Sequence, residues 1–230
     1  MAMRIGFQHI IESINDELLL LASMVEQAVF DAMDCLRTGN TTAAKILIEN
    51  DLSLNQKHVE ITERVIAAIA TQQPMARDVR RLAAALEVSA ELERMGDYAK
   101  GIAKLCLRLN GQTHPQYHSK LSQMANIGIE MLHHAMTAYI DQDEHVALAI
   151  PRRDDEVDAL YQTISEAMML DIATNPQRFQ QINYLMWTAH NLERLADRVI
   201  NICERTIFVT CGQKLDMDRS NQNPHLLPPF

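Results

Sequence analysis

Glycine and proline are scarce in this chain, seven of each in 230 residues, and aromatic residues make up only 5%. Sheets draw on β-branched and aromatic residues, and turns on glycine and proline, so this composition argues against an all-β fold. An excess of basic charge is also lacking: the net charge is −9 and the pI is near 5.4. Nucleic acid and anionic membrane surfaces both call for a basic partner, so neither is expected. The four cysteines, Cys35, Cys106, Cys203 and Cys211, form no Cys-x-x-Cys pair. That argues against a zinc knot or a dithiol redox motif. Each lies in an apolar helical run and reads as a buried thiol in a reducing compartment. No glycine-rich phosphate loop occurs, and no Ser-His-Asp or Cys-His arrangement can be argued from spacing. The apolar run Leu18–Val25 is too short to span a bilayer, and Ile10-Ile11 is followed at once by Glu12. Neither a signal peptide nor membrane insertion is expected, and the protein reads as soluble and cytoplasmic.

What the chain does have is Ala, Leu, Ile, Met, Glu and Arg, a composition suited to long helices. Helical spacing predicts six of them. The first runs from about Phe7 to Arg37, with a stripe of Ile14, Leu18, Leu21, Val25, Ala32 and Leu36. The second runs from about Thr42 to Thr71, with Thr41-Thr42 able to cap it and with Ile46, Leu54, Val59, Ile61, Val65 and Ile69 expected inward. Pro74 opens a third helix that reaches about Leu109. The turn-rich stretch Asn110–Pro115 separates two halves. A fourth helix spans about Tyr117 to Ile140, a fifth follows Asp143 and runs to about Ala173, and a sixth follows Asn175-Pro176 and ends near Cys211-Gly212. The expected fold is therefore all-α: two tandem three-helix bundles, six long helices from an internal duplication. The first bundle covers 1–112 and the second 113–212, with 213–230 read as a mobile tail.

The duplication carries a motif. Leu92-Glu93-Arg94-Met95-Gly96-Asp97 recurs 100 residues later as Leu192-Glu193-Arg194-Leu195-Ala196-Asp197. Glu and Asp four apart share one helix face, one turn from each other. Two like charges so placed cost a few tenths of a kcal/mol unless something positive sits on them. A second acidic pattern stands one helix earlier in each half. Asp51 and Asn55 occupy the second helix, and Asp154 and Asp158 the fifth. Antiparallel helices joined by a tight turn place residues level when they are equidistant from it. Asp51 with Asp97, and Asn55 with Glu93, both centre on Pro74. Asp154 with Asp197, and Asp158 with Glu193, both centre between Asn175 and Pro176. Four oxygen-bearing side chains thus converge in each hairpin.

All-oxygen clusters suit hard cations such as Mg, Mn or Ca, and carboxylate-bound iron. Redox di-iron bundles bring a Glu-x-x-His motif, whereas the histidine positions here hold Gly96 and Ala196. Those small residues instead let a neighbouring helix approach closely. Asn55 stands where the second half has Asp158, so the first cluster should hold a cation less tightly. The competing reading is a solvated acidic face, with Asp97 paired to Lys100 across one turn. Weaker features point to packing: Trp187 against a neighbouring helix, and Met168, Met169, Leu170 and Ile172 in the core rather than in a groove.

These residues resemble the PhoU family of phosphate-uptake regulators. The resemblance rests on Pro74-Met75-Ala76-Arg77-Asp78-Val79-Arg80, on the two Leu-Glu-Arg-x-(Gly/Ala)-Asp motifs, on Asp154-x-x-Val157-Asp158, and on Ile202-Cys203-Glu204-Arg205-Thr206-Ile207-Phe208. Ala196, Arg198 and Gly101 depart from the family's usual Gly, His and Asn. The resemblance implies tandem three-helix bundles, commonly dimeric, with metal ions (Fe, Zn, Mn, Mg or Ca) on the acidic motifs. Carried over by position, one site is Asp154, Asp158, Glu193 and Asp197. The other is Asp51, Glu93 and Asp97, with Asn55 a departure. It further implies a non-enzymatic, cytoplasmic negative regulator, coupling the ATPase subunit of a phosphate ABC transporter to a sensor histidine kinase. Alternatives are a metal-free helical scaffold and a metal-dependent hydrolase built on the same carboxylates.

Overall fold

The computed structural model describes residues 2–212 and residue 217, with side chains from residue 6 onward. Among these residues there is no strand. Six long helices are α1 (Ala2–Thr38), α2 (Thr41–Gln72), α3 (Ala76–Arg108), α4 (Pro115–Asp141), α6 (Asp154–Thr174) and α7 (Phe179–Cys211), with a short α5 (Glu144–Ala149) between α4 and α6. No helix among the described residues is long and apolar enough to cross a membrane.

The local chemistry explains the breaks. Asn40, not Thr41 or Thr42, caps α2, its side-chain oxygen accepting from Ala43 N–H at 3.0 Å. The hairpin between α2 and α3 turns at Gln73, in the left-handed region at φ 47°, followed by Pro74. Asn175-Pro176 turns the second hairpin through a single 3-10 turn, Pro176–Arg178. The fifth helix expected from the sequence is not continuous. Asp143 caps α5 by accepting from His145 and Val146 N–H, and Ile150–Arg153 then tightens into a 3-10 turn. Pro151 lacks the N–H that an unbroken helix would need. The interruption makes Asp154 the first residue of α6.

Each half is a three-helix bundle, and the two halves share one continuous apolar core. Their common face is α3 against α7, with α1 also touching α4. Contacts across it fall in antiparallel order: the Arg205 guanidinium on Glu87, Arg198 on Glu91 at 3.5 Å, and Gly101 against Asn191. A Cβ at position 101 would sit 2.9 Å from the Asn191 amide nitrogen, so the departure to glycine there permits the close crossing of α3 and α7. Arg205 is buried and also meets Glu204 at 3.0 Å. Of the expected tail, 213–230, all but Met217 lies outside the described residues; Met217 is buried and its N–H donates to Glu204 at 2.8 Å.

Several packing expectations fail. Ile46, Val59 and Ile69 of α2 are exposed, as are Trp187, Met169 and Leu170, while Leu54, Ile61, Val65 and Met168 are buried. At roughly 100° per residue, Ile46 and Val59 lie about a quarter to a third of a turn off the buried face of α2. An outer helix of a bundle is covered on one side only. Cys211 is likewise exposed at the end of α7, where its thiol donates to Glu144, whereas Cys35, Cys106 and Cys203 are buried.

Candidate metal centre

The two hairpins present their acidic residues as the register argument requires, but the two clusters differ in what neutralises them. In the first, Asp51 comes from the middle of α2, and Glu93 and Asp97 from one face of α3. Gly96 faces Leu54 between them: a Cβ there would lie 3.2 Å from Leu54 Cδ1. The small residue lets α2 and α3 come close enough for their polar side chains to meet. Lys100, one turn beyond Asp97, reaches into the cluster. Its Nζ donates to Asp51 Oδ2 at 2.6 Å and to Asp97 Oδ1 at 3.1 Å. Asn55 Nδ2 donates to the same Asp51 Oδ2 at 3.3 Å. The Asp51 hydrogen bond, followed by that to Asp97, holds the Lys100 pKa above its ordinary value. Burial first, then the charges of Asp97 and Asp51, pushes Glu93 up, with nearby His58 acting in the opposite sense. His58 itself is held by Ser89 at 2.8 Å.

The second cluster has no such lysine. Ile200, buried, occupies the position on α7 that Lys100 occupies on α3. Asp154 and Asp158 at the start of α6 face Glu193 and Asp197 of α7. Burial pushes Asp154 up to about 7, and the charges of Asp158, Asp197, Glu193 and Asp155 act in the same direction. Glu193 is raised by burial and then by Asp197, with Arg194 and Arg198 opposing. Asp158 is raised by burial and by Asp155. Arg194 contacts Asp197 at 3.3 Å, and His190 Nδ1 lies 3.4 Å from Glu193 Oε2. Arg198 turns away to Glu91 on α3. Asp154 Oδ1 and Glu193 Oε2 are nonetheless buried without a hydrogen-bond partner.

Among the described residues no three such side chains are drawn together as a finished ligand set. Carboxylates brought this close repel, and a cation would draw them inward. The donor chemistry of the second cluster fits a hard cation: four carboxylates, all oxygen. Both clusters hold orphaned buried acceptors, Asp154 Oδ1 and Glu193 Oε2 here and Asp51 Oδ1 and Asn55 Oδ1 in the first. The first fits less well, because an ammonium already lies on two of its three acids.

The structure puts Asp51 near Glu93 and Asp97, and Asp154 near Asp158, Glu193 and Asp197, while Asn55 meets Asp51 on its own helix. The sequence argument did not see Lys100 bridging to α2. The signal was present: Lys100 is three residues from Asp97 and shares its face. Asp155, beside Asp154, adds its charge to the second cluster and lies within a turn of the donors expected there, while His58, near Glu93, is a packed histidine held by Ser89.

The fold and site define a duplicated helical-bundle protein with one acidic cluster per hairpin. The model of the PhoU domain matches the chain twice, over residues 18–106 and 121–206, so the chain belongs to the PhoU family. It is 32% identical over 213 residues to a phosphate-specific transport system accessory protein PhoU homolog of Clostridium acetobutylicum, covering 92% of this chain and 97% of that one. It is 32% identical over 203 residues to the phosphate-specific transport system accessory protein PhoU of Escherichia coli, covering 88% and 84%. The crystal structure of PhoU from Pseudomonas aeruginosa superposes with a TM-score of 0.84 at 26% identity, over 90% of this chain and all of that one. The phosphate transport system regulatory protein PhoU from Streptococcus pneumoniae gives 0.85 at 25%, over 91% and 99%. The two curated relatives are named as accessory proteins of the phosphate-specific transport system, and the Streptococcus pneumoniae structure as a phosphate transport system regulatory protein.

Proposed function

We propose that this chain is a cytoplasmic accessory protein of phosphate-specific transport. It acts as a metal-loaded adaptor between the transporter's ATPase subunit and a sensor histidine kinase, lowering uptake and starvation signalling when phosphate is plentiful. Membership of the PhoU family, carried by both domain matches and by relatives covered over most of their length, supports the phosphate-transport role. The observation that supports the metal is the second cluster, where Asp154, Asp158, Glu193 and Asp197 act on one another's charge and Asp154 Oδ1 and Glu193 Oε2 are buried without a hydrogen-bond partner. Asp154, Asp158, Glu193 and Asp197 would hold the ion. A divalent or trivalent cation there would supply the charge that lets these acids stay ionised and would tie the start of α6 to the middle of α7. The same resemblance supports a homodimer.

The test is co-purification of the full chain with the ATPase subunit and with the kinase, in manganese and again in a chelator. The reading expects capture of both partners in metal, and loss in chelator and in Glu193→Gln/Asp197→Asn. Capture of both partners unaffected by chelation would favour the metal-free scaffold instead. Capture of neither would overturn the adaptor.

A further inference from the structure

The two acidic clusters are equivalent by duplication but not by chemistry. In the first, Asp51 is 5% exposed, so its charge demands a partner. Its Oδ2 accepts from Lys100 at 2.6 Å and from Asn55 at 3.3 Å, and the same ammonium reaches Asp97 at 3.1 Å. A hard divalent cation binds carboxylate oxygens at about 2.0–2.6 Å. It would therefore have to occupy the place that the ammonium already fills, or lie a few ångströms from a like charge. Access is not the obstacle. A groove of about 660 Å³ between α1, α2 and α3 opens onto Asp51, Gly96 and Lys100. In the second cluster, Ile200 replaces the lysine, and Arg198 is engaged by Glu91 on the other half. Arg194 meets Asp197 at 3.3 Å on its own helix without bridging to Asp154 or Asp158 as Lys100 bridges to Asp51.

We infer that Lys100 is a built-in cation: its ammonium occupies the first cluster in place of metal, so this protein carries metal on one hairpin only. The inference rests on the metal reading of the second cluster and narrows it. The duplicated sites have diverged, one held by a covalently attached charge that no chelator can remove, the other dependent on an exchangeable ion. One half then keeps its hairpin fixed whatever the metal supply, while the other responds to it.

The experiment is manganese binding by calorimetry and elemental analysis on chelator-treated full-length protein. Wild type, Lys100→Met and Lys100→Gln are compared, each with and without Glu93→Gln/Asp97→Asn or Glu193→Gln/Asp197→Asn. The expected wild-type binding is unchanged by Glu93→Gln/Asp97→Asn and abolished by Glu193→Gln/Asp197→Asn. Lys100→Met should gain at least one further equivalent, lost again when Glu93 and Asp97 are neutralised. A melting curve for each variant reports folding, and manganese should raise the melting temperature of Lys100→Met further than that of wild type. Lys100→Gln covers the case in which Lys100→Met fails to fold.

Wild-type manganese that is partly lost in Glu93→Gln/Asp97→Asn would overturn the inference while leaving the metal reading intact. No gain in either folded Lys100 variant would do the same. Gain in Lys100→Met with no binding in wild type would support the lysine's role and overturn the metal reading of the second cluster. Absence of binding in all variants would overturn both.

Discussion

The Nζ of Lys100 lies 2.6 Å from Asp51 Oδ2, joining the middle of α3 to a carboxylate buried on α2. The corresponding position on α7 is an isoleucine, Ile200. Removing the ammonium leaves Asp51 charged and buried, the costly half of a broken pair. Lys100→Met is expected to lose about 2–4 kcal/mol in metal-free buffer at neutral pH. Lys100→Met/Asp51→Leu should recover most of that loss, because the uncompensated charge goes with it. Urea denaturation of the three proteins measures both values; equal stability of wild type and Lys100→Met would show the pair to be idle.

Asp154 gives the second cluster a pH signature. Its folded-state pKa, about 7, stands above its ordinary value of 3.8, because burial and the facing Asp158, Asp197, Glu193 and Asp155 disfavour its charge. A carboxyl raised on folding binds its proton more tightly in the folded state. Its contribution to stability is therefore greatest at low pH and is lost as pH rises from about 4 through about 7. Metal-free wild type should lose more melting temperature than Asp154→Asn between pH 5.5 and pH 8. Manganese at pH 8 should return the wild type toward its pH 5.5 value. Parallel pH profiles for wild type and Asp154→Asn would place Asp154 outside the cluster's electrostatics.

How much of this was legible in the sequence depends on the range of the interaction. The hairpin registers could be read because a tight turn and a fixed helical rise determine which residues are level. Asp51 meets the Asp97 end of α3, and Asp154 meets Asp197, as that geometry requires. The break before Asp154 was missed, although Pro151 announced it. Which faces stay uncovered was not legible for α2 or for Trp187, since periodicity shows what can be buried and not what lies opposite. The antiparallel crossing of α3 on α7 was equally hidden. It depends on pairs such as Glu87 with Arg205, 118 residues apart.

Gly96 is expected to be needed for packing rather than for backbone freedom, since it sits inside a helix. A Cβ there would meet Leu54 at 3.2 Å. Gly96→Ala sets a gain in helix propensity of about 1 kcal/mol against that contact, which a flexible side chain can relax. Gly96→Val adds a β-branched side chain beside Leu54, which has less room to yield, and should cost about 1–3 kcal/mol. Thermal melts that rank Gly96→Val at or above wild type would contradict the close α2–α3 approach.

Arg205, buried on α7, joins the halves through Glu87 of α3. Arg205→Ala leaves a cavity and takes the guanidinium away from both Glu87 and Glu204, and should destabilise by about 3–5 kcal/mol. Hydrogen exchange should quicken first along the facing turns of α3 and α7. Loss of protection confined to the end of α7 would mean that the contact is local and does not hold the halves together.

The central claim is that the acids of the second hairpin form a metal centre, and metal content measures it most directly. Purified wild type and Glu193→Gln/Asp197→Asn, dialysed together against manganese and then against metal-free buffer, should differ by at least one equivalent of bound metal per chain. Equal metal in the two proteins, or none in either, would contradict it and leave Asp154, Asp158, Glu193 and Asp197 as a solvated acidic face.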